Sequence, residues 1–270
     1  MISCLSYHEA VANDTIVALV TGAAQGIGRS IALELGRRGY TVGLNDLAPA
    51  HDTLRLLEEN GAAGFTLAGD VSDEGAAVSM VARVLAECGR IDVLVNNAGV
   101  SFQRPAEETT LEDWQHVLDV NLTGPFLLCR EAGRGMLDRR QGSIVNVASI
   151  AGLFGIADRL AYNVSKHGLI GMTRTLAVEW GGCGVRVNAV CPGWVKTEMD
   201  VRDQARSGYT DADITNRVPM GRFAAPEDIA RAVAFLADPG QSGFVNGQTL
   251  VVDGAWTADA GWESLRLAHR

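Results

Sequence analysis

The chain has 270 residues, 47% of them hydrophobic and 31 of them glycine, enough to bury one full α/β core with tight turns. Its formal charge of −9 argues against a nucleic-acid or anionic-membrane partner, since both call for a basic face. The five cysteines (Cys4, Cys88, Cys129, Cys183, Cys191) are scattered without C-x-x-C spacing; they read as reduced thiols of a cytoplasmic protein, not as a disulfide frame or a zinc site.

Residues 1–14 lack a basic start followed by an apolar run, so they read as an N-terminal extension and not a secretory signal. No stretch reaches the length of a membrane span. Short β-branched or apolar runs at 16–21, 41–45, 64–68, 91–96, 142–149, 185–191 and 249–252 predict strands. Helical periodicity occupies 26–39, 50–60, 73–88, 111–140, 160–180 and 226–237. Several strands are continuously apolar, as parallel strands covered on both faces must be. The alternation predicts right-handed βαβ crossovers and one α/β domain over 15–257, a doubly wound parallel sheet with helices on both faces.

The first strand runs into Thr21-Gly22-Ala23-Ala24-Gln25-Gly26-Ile27-Gly28, and a helix follows. A glycine-rich turn at that place lets backbone N–H groups approach a pyrophosphate at the positive end of the helix. Gly22, Gln25, Gly26, Ile27 and Gly28 are the candidate contacts. Asp46 closes the second strand about twenty residues further on, where a carboxylate can accept from the adenosine ribose and repel a 2′-phosphate. No Arg or Lys follows it immediately or occupies 23–25, so NAD is expected and NADP is the less favoured cofactor. The alternative for Asp46 is a plain turn residue. Asp70 and Val71 after the third strand can address the adenine ring. Asn96, Asn97, Ala98 and Gly99 end the fourth strand at the same edge; the asparagines can hold strand ends together while Gly99 gives close backbone access.

Tyr162 and Lys166 lie one helical turn apart, about 6 Å along the axis, with Ser149 upstream. A free tyrosine titrates near ~10, and a nearby ammonium would draw that value down and ready the phenol for acid/base work. Taken alone, the pair reads more readily as two ordinary helix residues. The five histidines, His8, His51, His116, His167 and His269, show no ligand-like grouping and read as structural or surface residues, so no metal is expected.

These features in this order resemble the short-chain dehydrogenase/reductase family: the Thr-Gly-x-x-x-Gly-x-Gly turn, Asp70, Asn96-Asn97-Ala98-Gly99, Asn121, Ser149, Tyr162-x-x-x-Lys166 and Pro192-Gly193. The resemblance covers residues 15–254. It implies a seven-stranded Rossmann-type sheet, a nicotinamide cofactor and often a homotetramer (or a dimer) built through helices around 111–140 and 160–180. It also implies roles. Tyr162 would be the general base in oxidation and the acid in reduction, and Lys166 would lower its pKa and bind the nicotinamide ribose. Ser149 would hold the substrate oxygen, and Asn121 would anchor a proton-relaying water. Pro192, Gly193, Val195 and Thr197 match positions around the carboxamide and phosphates.

The substrate is less legible. The segments 150–161, 100–104 and 194–225 should line its pocket, with Phe154, Ile156, Trp194 and Met199 apolar and Gln103, Asp158 and Arg159 polar. Ser149, Phe154, Arg159, Tyr162 and Trp194 are the candidate substrate contacts. Arg159 can bind an anionic group or sugar hydroxyls; a solvated or interfacial arginine is the plainer alternative. Residues 194–225 read as a lid, or as a surface excursion. The tail, 258–270, with Trp262, Leu265 and Leu267, either packs on a neighbouring subunit or frays. The leading expectation is an NAD-dependent dehydrogenase of a secondary alcohol: a polyol, sugar or other small hydroxylated compound. A 3-oxoacyl-thioester reductase is the closest competitor, with Arg130, Arg134, Arg139 and Arg140 as a candidate patch for its acidic carrier protein. A catalytically idle nucleotide sensor or an assembly scaffold would leave the tetrad unexplained.

Overall fold

A computed structural model describes residues 15–261. The predicted tail residues Trp262, Leu265 and Leu267 and the extension 1–14 lie outside the described residues. Seven strands, β1 (Val17–Thr21), β2 (Thr41–Asp46), β3 (Gly64–Ala68), β4 (Val93–Asn96), β5 (Gly142–Val147), β6 (Val185–Pro192) and β7 (Thr249–Val252), form one sheet in the order β3-β2-β1-β4-β5-β6-β7. Every pairing is parallel. The sequence-based strand bounds hold to within two residues.

Alternation along β1 explains the two layers. Ala18 and Val20 face one core with Ile31, Leu35, Ile229 and Val233, whereas Val17 and Leu19 face the other with Val84, Leu128 and Met136. The first layer is α1 (Gly26–Arg37), α2 (His51–Glu59) and, later in the chain, Pro226–Ala237. The second is α3 (Glu74–Cys88), α4 (Leu111–Leu118), α5 (Gly124–Arg139) and α6 (Leu160–Gly181). Among the described residues no helix is long and apolar enough to cross a membrane.

The expected continuous helix over 111–140 is instead interrupted. Asp119–Thr123 makes a π-helical turn between α4 and α5, holding Asn121 fully buried. The segment predicted as a lid contains two helices, α7 (Glu198–Ser207) and α8 (Asp211–Arg217), each started by a threonine whose hydroxyl accepts from the third helical N–H (Thr197 from Asp200, Thr210 from Asp213). The helix at Pro226–Ala237 is α9, and the turn Pro239–Ser242 is α10. Strand order reverses between β1 and β4, so their carboxyl ends open a crevice there.

Candidate active site

The turn after β1 is built on left-handed backbone at Gly22 (φ 64°) and Gly26 (φ 54°). A Cβ on Gly28 would lie 2.0 Å from the Gly22 carbonyl oxygen, so only glycine lets α1 begin against the strand end. Thr21 and Asn97 lock β1 to β4. The Thr21 hydroxyl accepts from the N–H groups of Asn97 and Ala98, both at 3.0 Å, and the Asn97 amide donates back to the carbonyls of Thr21 (2.9 Å) and Gly22 (3.2 Å). Asn96 donates to Asn146 at 2.8 Å and pins β4 to β5. The asparagine run is therefore a structural clasp, with Asn97, Ala98 and Gly99 presented on its cavity side.

Asp46 braces the turn and also lines the cavity. Its oxygens accept from Ala24 N–H (2.9 Å) and Leu47 N–H (2.8 Å) beside the glycine turn, and it lies on the cavity wall. Each carboxylate oxygen retains a second lone pair for a hydroxyl. Leu47 beside it is 75% exposed and offers no charge. Asp70 forms a tight turn, accepting from Ser72 N–H (2.9 Å) and Ser72 hydroxyl (2.7 Å).

The reacting end lies across the crevice. Ser149 follows β5 and caps a short turn, its hydroxyl accepting from Ala151 N–H at 3.1 Å. Tyr162 and Lys166 come from the first turns of α6. The Lys166 ammonium is buried, donates to the Val147 carbonyl at 2.9 Å and stands 5.6 Å from the centre of the Tyr162 ring. Burial lowers the Lys166 pKa to about 8.

The Tyr162 phenol departs from expectation. Atoms packed around it desolvate it and hold its pKa above the ordinary tyrosine value. A hydrogen bond to Ser149 and then the charge of Arg159 pull it down, while Asp203 and Cys191 push it up. The expected lowering by Lys166 is overtaken here by burial, with Arg159 the positive charge the phenol feels. Cys191 itself is fully buried, and burial drives its thiol up to about 11, which makes it a packing residue and not a nucleophile.

Asn121 lies beneath the floor and not on the cavity wall. Its side chain accepts from Val100 N–H (2.8 Å) and donates to the Val100 carbonyl (2.9 Å) and the Ser165 hydroxyl (3.2 Å), so the amide itself is spent on holding the 99–100 backbone over α6. Phe154, expected against the substrate, instead turns away and stacks on Trp256 with ring centres 5.1 Å apart. Gln103 and Asp158 are also off the cavity wall. His116, read from sequence as structural or surface, does lie on that wall.

The remaining candidates converge on one cavity of about 490 Å³. Its walls carry every residue named above for cofactor binding, together with Ser149, Ile156, Arg159, Tyr162, Lys166, Trp194 and Met199. The segment read as a lid or a surface excursion lines one side through α7, adding Glu198, Asp200, Arg202, Asp203 and, beyond the helix, Tyr209. Arg159 is buried and donates to Asp203 at 2.9 Å and to the Ser101 hydroxyl at 2.7 Å. Asp203, Asp200, Glu198 and Tyr209 were missed because their roles depend on a loop folding back over strands far away in sequence. The polar, helix-prone run after Pro192-Gly193 was the only available signal.

A dinucleotide fits the residues present. The glycine turn is a cradle that side chains would fill: a Cβ on Gly26 would sit 3.3 Å from the Glu198 carboxylate. The carboxylate brace at Asp46, ending β2, and the Tyr162–Lys166 face, held at the end of β5, line the same crevice three strands apart. Fold and site together define a dinucleotide-dependent oxidoreductase.

A family model described as enoyl-(acyl carrier protein) reductase matches residues 22–257. D-threitol dehydrogenase of Mycolicibacterium smegmatis is 43% identical over 90% of this chain and 94% of its own length. A 3-oxoacyl acyl-carrier-protein reductase of Thermotoga maritima is 38% identical over 88% of this chain and 96% of its own. Among solved structures, a variant of actinorhodin polyketide ketoreductase with NADPH superposes with a TM-score of 0.86 at 39% identity, covering 90% of this chain and 97% of that one. The chain belongs to the short-chain dehydrogenase/reductase family of oxidoreductases.

Proposed function

We propose that the protein is an NAD-preferring dehydrogenase that interconverts a small polyhydroxylated secondary alcohol and its carbonyl compound. The observation that carries this is the sharing of one cavity by Ser149, Tyr162 and Lys166 with the glycine turn and Asp46. The cofactor, when bound, supplies the hydride acceptor or donor. The protein's part is to hold the substrate and move one proton. Ser149 holds the substrate oxygen, and Tyr162 takes its proton in oxidation or returns it in reduction. Lys166, fixed by the Val147 carbonyl, positions the nicotinamide ribose, while the charge of Arg159 acts on the phenol. Asn121 acts as a positioning residue for the 99–100 backbone, and any relay through it would use its main chain.

Preference for NAD is supported by Asp46 and by the uncharged, exposed Leu47 that follows it. Arg29, on α1, is committed to the Ala24 carbonyl and the Thr53 hydroxyl. The threitol dehydrogenase likeness supports the substrate class. Apolar side chains left exposed on α4, α5 and α6 (Leu111, Phe126, Leu160, Val164, Val178) support a homotetramer or dimer. The free cysteines Cys88, Cys129, Cys183 and Cys191 suit a cytoplasmic setting.

The thioester-reductase reading has the Thermotoga relative in its favour. Against it, the expected basic patch is largely spent. Arg130 pairs with Glu74 and Glu131, Arg134 pairs with Glu131, and Arg139 and Arg140 donate to backbone carbonyls. A panel of polyols, sugars, simple secondary alcohols and 3-oxoacyl thioesters, assayed with both nicotinamide cofactors, tests the proposal. NAD-linked oxidation of a polyol is the expected outcome; turnover confined to thioesters with NADPH would overturn it.

A further inference from the structure

On the far side of the cavity from the glycine turn, three segments meet at one buried ion pair. Arg159 arrives just before α6, its backbone set by the left-handed Asp158 (φ 60°) and by Arg104 N–H donating to the Asp158 carbonyl at 2.8 Å. Asp203 arrives from α7, and Ser101 from the segment after β4. Arg159 and Asp203 are each 8% exposed, and both line the cavity that holds Tyr162. Only the Nη1 group of Arg159 is used within this cluster, by Asp203 Oδ2 (2.9 Å) and Ser101 Oγ (2.7 Å). Ser101 in turn donates to the same Asp203 oxygen at 3.0 Å. Among the described residues, the Nε and Nη2 donors of Arg159 and the Oδ1 acceptor of Asp203 have no protein hydrogen-bond partner, while both residues line the cavity.

We propose that Arg159 and Asp203 form a donor–acceptor subsite for a vicinal diol, so that the substrate is an uncharged polyol carrying a hydroxyl beside the carbon that reacts, and not a hydroxy acid. This rests on the alcohol-dehydrogenase reading above and narrows it. A hydroxyl both accepts and donates, so it can take an Arg159 N–H and give its proton to Asp203 Oδ1. A carboxylate can only accept. It would satisfy the guanidinium but place a second anion against Asp203, with Asp200 on the same wall. The charge of Arg159 is already balanced, which removes the attraction an acid would need. Lys196 is likewise paired, with Asp200 and Asp211. Arg202 also lines the cavity, but it is exposed, where a cation holds a carboxylate only weakly. An alcohol with no second hydroxyl leaves both partners unmatched, the arrangement from which polar sites draw their strongest discrimination.

The test compares kcat/KM of the full-length protein for a tetritol, the corresponding four-carbon aldonic acid and 2-butanol, with NAD and with NADP. The wild type is expected to favour the tetritol over each of the others by at least ~10-fold. Asp203→Asn should narrow the tetritol-to-acid ratio by ~10-fold or more, chiefly through KM. Arg159→Lys, which keeps the charge and loses the fork, should lower the tetritol-to-butanol ratio by a similar factor and serves if the first variant fails to fold. An acid used as well as the tetritol, or ratios unmoved in both variants, overturns the subsite. Equal use of tetritol and 2-butanol overturns the subsite while leaving the dehydrogenase reading standing. No turnover of any secondary alcohol with either cofactor overturns that reading, and the subsite with it.

Discussion

The Lys166 ammonium stands 5.6 Å from the centre of the Tyr162 ring and gives one hydrogen bond to the Val147 carbonyl at the end of β5. One turn of α6 sets the spacing, and the neighbouring strand sets the aim. Lysine and phenol thus meet at a fixed place in front of the sheet, each desolvated by its surroundings.

Tyr162→Phe retains the ring and its packing but removes the proton carrier. Turnover should fall by at least ~10²-fold. Cofactor affinity, followed by fluorescence titration, should stay within a few-fold of wild type. Near-normal turnover would remove Tyr162 from its role.

Lys166→Met should separate activity from stability. Burial depresses the folded-state pKa of Lys166 to about 8, below its value near 10.4 in an unfolded chain. The unfolded state therefore binds the proton more tightly, and the lysine costs stability in full below pH 8. That cost fades as pH rises from 8 to about 10.4. Methionine removes it, so the variant should unfold at higher urea than wild type at pH 7, by an amount on the order of 1–3 kcal/mol. The advantage should shrink at pH 9.5, while turnover stays at least ~10²-fold down at both pH values. A variant less stable at pH 7 than at pH 9.5, relative to wild type, would contradict the burial argument.

Asp46→Ala combined with Leu47→Arg replaces a carboxylate by a cation where a 2′-phosphate would lie. The ratio of NADP to NAD efficiency should rise by at least ~10-fold. Because Asp46 also braces Ala24 and Leu47 N–H groups, total efficiency should fall, and adding Ala24→Pro, which removes one of those N–H groups, should not restore NAD preference. An unchanged ratio in the double variant would return Asp46 to a turn residue alone.

Gly28→Ala would press a methyl group to 2.0 Å from the Gly22 oxygen and 2.5 Å from the Asn97 amide nitrogen. Neither neighbour can withdraw without breaking the β1–β4 clasp. We expect a loss of roughly 2 kcal/mol or more in thermal or urea unfolding and no measurable cofactor binding. By contrast Gly171→Ala, on α6 with open space where its Cβ would go, should leave both properties intact.

The sheet was legible because its strands are buried on both faces and read as short apolar runs, as at Val17–Thr21 and Val93–Asn96. The reacting groups were legible for a different reason: each sits within one turn or one strand end, so local spacing carries the geometry. What stayed hidden depends on distant partners. At the π-helical turn, Val100 and Ser165 claim the amide of Asn121, and helical periodicity over 111–140 gives no sign of either. Phe154 was assigned to the pocket by its place after Ser149, and it is drawn off by Trp256 about a hundred residues later. Arg159 was visible as a candidate; the carboxylate that defines what it can bind was not, being carried in on α7.

The reciprocal bonds between Thr21 and Asn97 have a mechanical consequence. Because they rivet the two halves of the sheet together at the crevice floor, the molecule cannot open like a book along that line. We propose that entry and departure are governed from above, by the chain between Pro192 and Pro226 that lines the cavity over this floor.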